Sequence, residues 1–287
     1  MGAKDIVEKQ LEDYNDVFSD VLNVLLFNGR QVVREDELEN CKDKSMFKND
    51  AKLHEQERDL SKYWKKNEIR LALFGYENQT ETDKHMILRT LGYDGVSYRA
   101  QYRNDAIYPV ITLVLSFNYK KHWDGPKSLY EMLDIPEGLE PFVNDYHLNV
   151  MEIPWLEEEQ VAMFKSDFKI VADYFVQMRK NNGYNPTKDE IKHVDEILKM
   201  MKVLTGDDRF EITMSERKEV KNMCEVLDKV EARGEARGEA RGKVIGKAIG
   251  RVRALYYDAD FSIDEIVKKT GLSAEEIEEM IALEDEE

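Results

Sequence analysis

The hydrophobic pattern marks one stretch as central. Leu71, Ala72, Leu73 and Phe74 form a near-continuous apolar run, as expected for a strand covered on both faces. The run continues through Gly75 and Tyr76 into Glu77-Asn78-Gln79, so the strand ends on polar residues. Side chains alternate along a strand, which places Glu77 and Gln79 on one face. A carboxylate and an amide oxygen in that position can share a hard cation such as Mg²⁺. A second run, Tyr108 to Phe117, is apolar and β-branched and reads as another buried strand.

Other segments carry helical spacing. Tyr14, Val17, Phe18, Val21, Leu22 and Leu25 form one face of a helix expected from about Asp5 to Phe27, stopped by Asn28-Gly29. Asp16 and Asp20 lie one turn apart on it. Glu35 to Asn49 is charged and reads as a loop or short exposed segment. Asp59 precedes Glu77 by eighteen positions, a spacing that suits a β-hairpin turning near Lys66-Asn67 and returning from Ile69. The two carboxylates would then reach one ion. Thr80 to Asp83 leads into a helix whose apolar positions are Met86, Leu88, Leu91, Val96 and Tyr98, with Arg89 among them. Gln160 to Lys180 and Lys188 to Leu204 are amphipathic. The order of elements predicts a mixed α/β core.

Charge changes the picture in one place. The 287-residue chain carries a net charge of -17, which argues against general coating of nucleic acid. From Glu57 to Lys127, however, twelve Lys and Arg stand against nine Asp and Glu. The segment around the central strand is therefore the basic part of an acidic protein, suited to receiving phosphates. Cys41 and Cys224 match no metal or redox spacing and are expected as free thiols, consistent with a cytoplasmic protein. The five histidines are scattered, with no zinc-ligand spacing. No apolar run is long enough to span a membrane.

Taken together, Asp59 and the segment Leu73-Phe74-Gly75-Tyr76-Glu77-Asn78-Gln79 resemble the Asp…Glu-X-Gln signature of the recombination-promoting, transposase-like nucleases of the PD-(D/E)XK superfamily. Phe18-Ser19-Asp20-Val21 with Leu26 to Gly29, Arg89 to Asp94, Tyr108 to Leu113, and Trp123 to Leu129 continue the similarity through the first half of the chain. The resemblance implies a restriction-endonuclease-like α/β fold with a four-stranded mixed sheet flanked by helices, followed by a helical C-terminal extension. It implies a Mg²⁺- or Mn²⁺-dependent DNA endonuclease linked to recombination or mobile elements. Asp59 and Glu77 would be the metal carboxylates. Gln79 would stand where a catalytic lysine is usual. By proximity in sequence, Lys62, Lys65 and Arg89 are the candidates to supply positive charge for a phosphate. The alternative is a protein of the same fold that binds nucleic acid or assembles without cleaving.

The tail is distinct. Glu-Ala-Arg-Gly occurs three times from Glu231 to Gly242 and then loosens. Either it is a charged linker or two copies pair, one molecule's Glu stripe against another's Arg stripe. Ser262-Ile263-Asp264-Glu265 and Ser273-Ala274-Glu275-Glu276 are capping boxes for two short helices around Gly271, a packing or protein-contact module too acidic to read DNA. The expected domains are residues 1–205, 206–253 and 254–287.

Overall fold

In the computed structural model, residues 11–41, 45–49, 52–56, 58–211 and 214–282 are described. The chain falls into two compact units, one ending at Val226 and one beginning at Leu227.

The first unit is built on a mixed five-stranded sheet. Its strands are β1 (Leu38–Asn40), β4 (Leu60–Lys66), β5 (Ile69–Gln79), β6 (Val110–Ser116) and β7 (Asn149–Glu152), in that spatial order. β1, β4 and β5 are antiparallel neighbours, whereas β5, β6 and β7 run parallel. A separate antiparallel pair joins β2 (Ser45–Asn49) to β3 (Lys52–Gln56). The sheet thus has one strand more than the resemblance implied. The charged stretch Glu35 to Asn49, expected as a loop or short exposed segment, supplies both β1 and β2; β1 is too short and too polar to leave a period-two pattern.

β4 and β5 form the expected hairpin. Lys66 pairs with Ile69, so the turn is the two residues Asn67 and Glu68, with φ of 48° and 65°. Positive φ at both central positions is what a type I′ turn requires, and its twist matches that of the strands it joins.

Helices cover the two sheet faces. On one face, α1 (Asn15–Leu25) buries Phe18 in a stacked contact with Tyr76, ring centroids 4.3 Å apart. The Tyr76 hydroxyl also donates to the Phe18 carbonyl at 2.8 Å. α1 ends at Leu25, and Asn28 and Gly29 both take positive φ just beyond it. The first ten residues of the chain, where the expected helix begins, lie outside those described. On the same face, Phe117 packs on Phe168 and Phe175 of α4 (Phe168–Asn181), which follows the single turn α3 (Glu158–Val161). The helix expected over Gln160 to Lys180 is therefore interrupted. α5 (Val194–Thr205) starts six residues later than its pattern predicts and ends on Gly206 at φ 69°.

On the opposite face lies α2 (Met86–Ala100), and here the sequence misleads. Leu88, Leu91, Val96 and Tyr98, expected to face the core, are exposed. The helix instead buries Met86, Ile87, Thr90, Tyr93, Asp94 and Ser97. The reason is Arg58, which is only 7% exposed and needs polar partners beneath this helix.

After α6 (Met214–Arg217), the helix α7 runs from Met223 to Arg253 and so passes from the first unit into the second. It contains the repeats. A Cβ placed on Gly234, Gly238, Gly242, Gly246 or Gly250 would meet nothing within 4 Å. Each glycine in an exposed helix costs about 1 kcal/mol relative to alanine. The chain closes with α8 (Ile263–Thr270) and α9 (Ala274–Ala282). Ser262 and Glu265 satisfy each other's backbone N–H groups as a capping box. Ser273 and Glu276 do the same at the next helix. Val252, Ile266 and Ile277 form the core of this small unit.

Candidate functional site

Asp59 lies one residue ahead of β4, where the register Leu60↔Tyr76 brings it opposite Glu77. Two hydrogen bonds tie Asp59 to the end of β5, one to Glu77 and one to Asn78. The Asp59 N–H donates to Glu77 Oε1 at 3.3 Å, and Asp59 Oδ2 accepts from the Asn78 N–H at 2.9 Å. Glu77 is fully buried. From α2, Arg89 Nη2 donates to Glu77 Oε2 at 2.8 Å, its Nη1 to Asp83 Oδ2 at 3.2 Å, and it reaches the Tyr93 hydroxyl at 3.4 Å. Arg89 keeps a third of its side chain in solvent. Gln79 follows two positions along β5 on the Glu77 face, half-buried and paired with Ser116 of β6.

Burial pushes the Glu77 carboxyl up to about 8, and the neighbouring Asp59 charge adds to the rise. Arg89 works against it, and its own shift upward, despite its burial, reflects an ion pair with ionised Glu77. The two tendencies oppose each other. The complete burial of Glu77 sets the direction, upward, and Arg89 limits its extent.

Beneath this layer sits the network that the sequence pattern missed. Arg58 Nε donates to Thr112 Oγ1 at 3.0 Å, Nη1 to Ser97 Oγ at 2.9 Å, and Nη2 to Asp94 Oδ1 at 2.6 Å. Thr112 also donates to Asp94 Oδ1 at 2.7 Å, and the Tyr146 hydroxyl donates to Asp94 Oδ2 at 2.7 Å. Gly75 makes the room: a Cβ there would lie 2.4 Å from Arg58 Cδ. Arg58 is bonded to Asp59 in the chain, so fixing Arg58 against α2 and β6 fixes the entry of Asp59 into the site. The helical spacing of Thr90, Asp94, Ser97 and Gln101 was the signal in the sequence, a polar stripe where an apolar one was expected.

Two expected phosphate contacts are not here. Lys62 is fully buried on the α1 face, the opposite side of the sheet, where it donates to the Asp13 carbonyl at 2.7 Å and to Asn40. Its pairing with Phe74, not Gly75, decides the face. Lys65 lies at the turn end of the hairpin, beyond a register shift, and pairs with Glu39. Arg89 alone of the three stands beside Glu77.

The donor set bears on a metal. Among the described residues no three His, Cys, Asp or Glu side chains are grouped as metal ligands. Mg²⁺ does not need three: it keeps several waters and takes one or two carboxylates together with substrate oxygens. Asp59 and Glu77, with the Gln79 amide on the same strand face, are oxygen donors of that kind. A carboxyl raised by burial and by its carboxylate neighbour is a site where a divalent cation would relieve the repulsion. The residues fit the ion.

What the fold and site define together is an α/β protein with a five-stranded mixed sheet and two neighbouring carboxylates, Glu77 buried and Asp59 half-buried, with an arginine on Glu77. Comparisons of the chain with models of known protein families, with curated proteins and with solved structures return no match. No helix among the described residues is long and apolar enough to cross a membrane. Cys41 and Cys224 are not joined.

Proposed function

We propose that this chain is a Mg²⁺- or Mn²⁺-dependent endonuclease of restriction-endonuclease-like fold that hydrolyses phosphodiester bonds in DNA, in recombination or the movement of genetic elements. The observation that carries the reading is that Asp59 is held beside the fully buried Glu77 at the polar end of β5, its N–H on the Glu77 carboxylate and its own carboxylate on the Asn78 N–H. Asp59 and Glu77 would hold the ion, which when bound lowers the pKa of water and stabilises charge on a phosphate. Gln79, on the same face, orients water through its amide. Arg89 balances the charge of Glu77 and, being partly exposed, supplies the cation that a scissile phosphate would meet. The Arg58 network holds Asp59 in place.

A second reading has its own support. Arg89 already occupies Glu77 Oε2, and the net charge of -17 disfavours broad DNA contact. On that reading the ion pair replaces a metal, and the protein binds nucleic acid or a partner without cleaving.

Plasmid nicking in Mg²⁺ and in Mn²⁺ decides between them. The nuclease reading expects metal-dependent cleavage that falls about 100-fold or more in Glu77→Ala and in Asp59→Ala. Absence of cleavage by wild type in both metals, or cleavage that persists in both variants, overturns it in favour of the second.

A further inference from the structure

The repeat segment of α7, Glu231 to Gly242, is exposed at every position but Arg233, which is half-buried. At 100° per residue, its four residue types fall around the axis in the order Glu, Ala, Arg, Gly. The alanine stripe therefore has a glutamate flank on one side and an arginine flank on the other, each about 100° away. Ala232, Ala236 and Ala240 are exposed, and the next member of the stripe, Val244, is 68% exposed. Within the repeats the arrangement is unfavourable, because glutamates follow glutamates and arginines follow arginines at i,i+4, until Glu239 meets Lys243 at 3.3 Å. Five glycines weaken it further. A continuous helix of 31 residues built on such a segment offers an apolar seam to an occupant whose charges complement its two flanks.

We propose that the occupant is a second copy of this chain, packed against the first in parallel along the alanine stripe. The charges select both partner and orientation. A two-fold axis running along the helices sets the glutamate flank of one copy against the arginine flank of the other, on both sides of the seam. An antiparallel two-fold pair would instead set glutamate on glutamate and arginine on arginine. The sequence is thus complementary to itself in one orientation. Alanine at the seam lets the backbones approach closely. A four-residue repeat follows the i±4 rows, so the helices cross at about −50° and touch over two or three repeats. Beyond Lys243 the flank changes sign, which confines the pairing to the repeats.

The test uses the full chain and two charge variants, one with Arg237→Glu and Arg241→Glu, the other with Glu235→Arg and Glu239→Arg. Light scattering on wild type is expected to give twice the 33.6 kDa chain mass. Each variant alone carries like charges on both flanks and should dissociate, its Kd raised about tenfold or more. An equimolar mixture of the two variants should recover the dimer. Monomeric wild type at all concentrations up to 100-fold above the assay midpoint for mixed variants would overturn the proposal, as would variants that stay dimeric on their own or a mixture that stays monomeric. Nuclease activity is not the readout, so failure here is separate from failure of the proposed reaction.

Discussion

Replacing Glu77 by glutamine keeps the side chain's shape and removes its titration. Burial and Asp59 raise the carboxyl in the folded chain to about 8, from the 4.5 of an ordinary glutamate. Between those values the unfolded chain has released this proton while the folded chain keeps it. Stability therefore falls as pH rises through that window, by up to about 1.4 kcal/mol per pH unit. Over the whole interval this amounts to at most about 5 kcal/mol. Glu77→Gln carries none of this dependence. Trp64, Trp123 and Trp155 all lie in the first unit, so urea unfolding followed by tryptophan fluorescence reports that unit alone. The quantity to measure is the difference in stability between variant and wild type at pH 5 and at pH 8, which cancels the titrating groups that do not interact with Glu77. It should grow in the variant's favour as pH rises. A difference that stays constant across the window would refute the placement of a raised carboxyl at this site.

Two further outcomes follow from the packing. Asp94→Leu removes the buried partner of Arg58 and strands its charge, which should cost about 3–5 kcal/mol, whereas the double variant Arg58→Met, Asp94→Leu should recover most of it; urea titrations of the single and double variants measure the coupling, and strictly additive losses would refute it. Glu68→Gly places glycine at the second positive-φ position of the β4–β5 turn and should stabilise the first unit by about 1 kcal/mol, read as a higher urea midpoint.

The parts of the fold that the sequence disclosed were those governed by local chemistry. The β4–β5 hairpin, the two strands on either side of α2, and the capped helices of the tail all follow from alternation, turn residues or reciprocal Ser–Glu caps. The position of Asp59 opposite Glu77 followed from hairpin length. What stayed hidden depended on the partner across the interface. The inward face of α2 is polar because Arg58, from another element, lies beneath it, and no hydrophobic pattern on the helix itself could show that. Lys62 looked like a surface cation near the site because sequence distance does not reveal face; its pairing with Phe74 sends it to the α1 side. β1 escaped notice because three residues on a sheet edge carry too little pattern.

The two-residue turn at Asn67-Glu68 has a consequence far from itself. Along β5, consecutive residues belong to different halves of the molecule: Tyr76 and Asn78 to the α1 side, Gly75 and Glu77 to the α2 side. Lengthening or shortening the turn by one residue would slide the frame by half a period and exchange the two sets. Glu77 would then press into the aromatic layer at Phe18, and Tyr76 would fall where Asp59 waits. The turn, about ten residues or roughly 30 Å of strand from the carboxylates, thus sets the reading frame of the site, and its length is as much a part of the chemistry as the acids themselves.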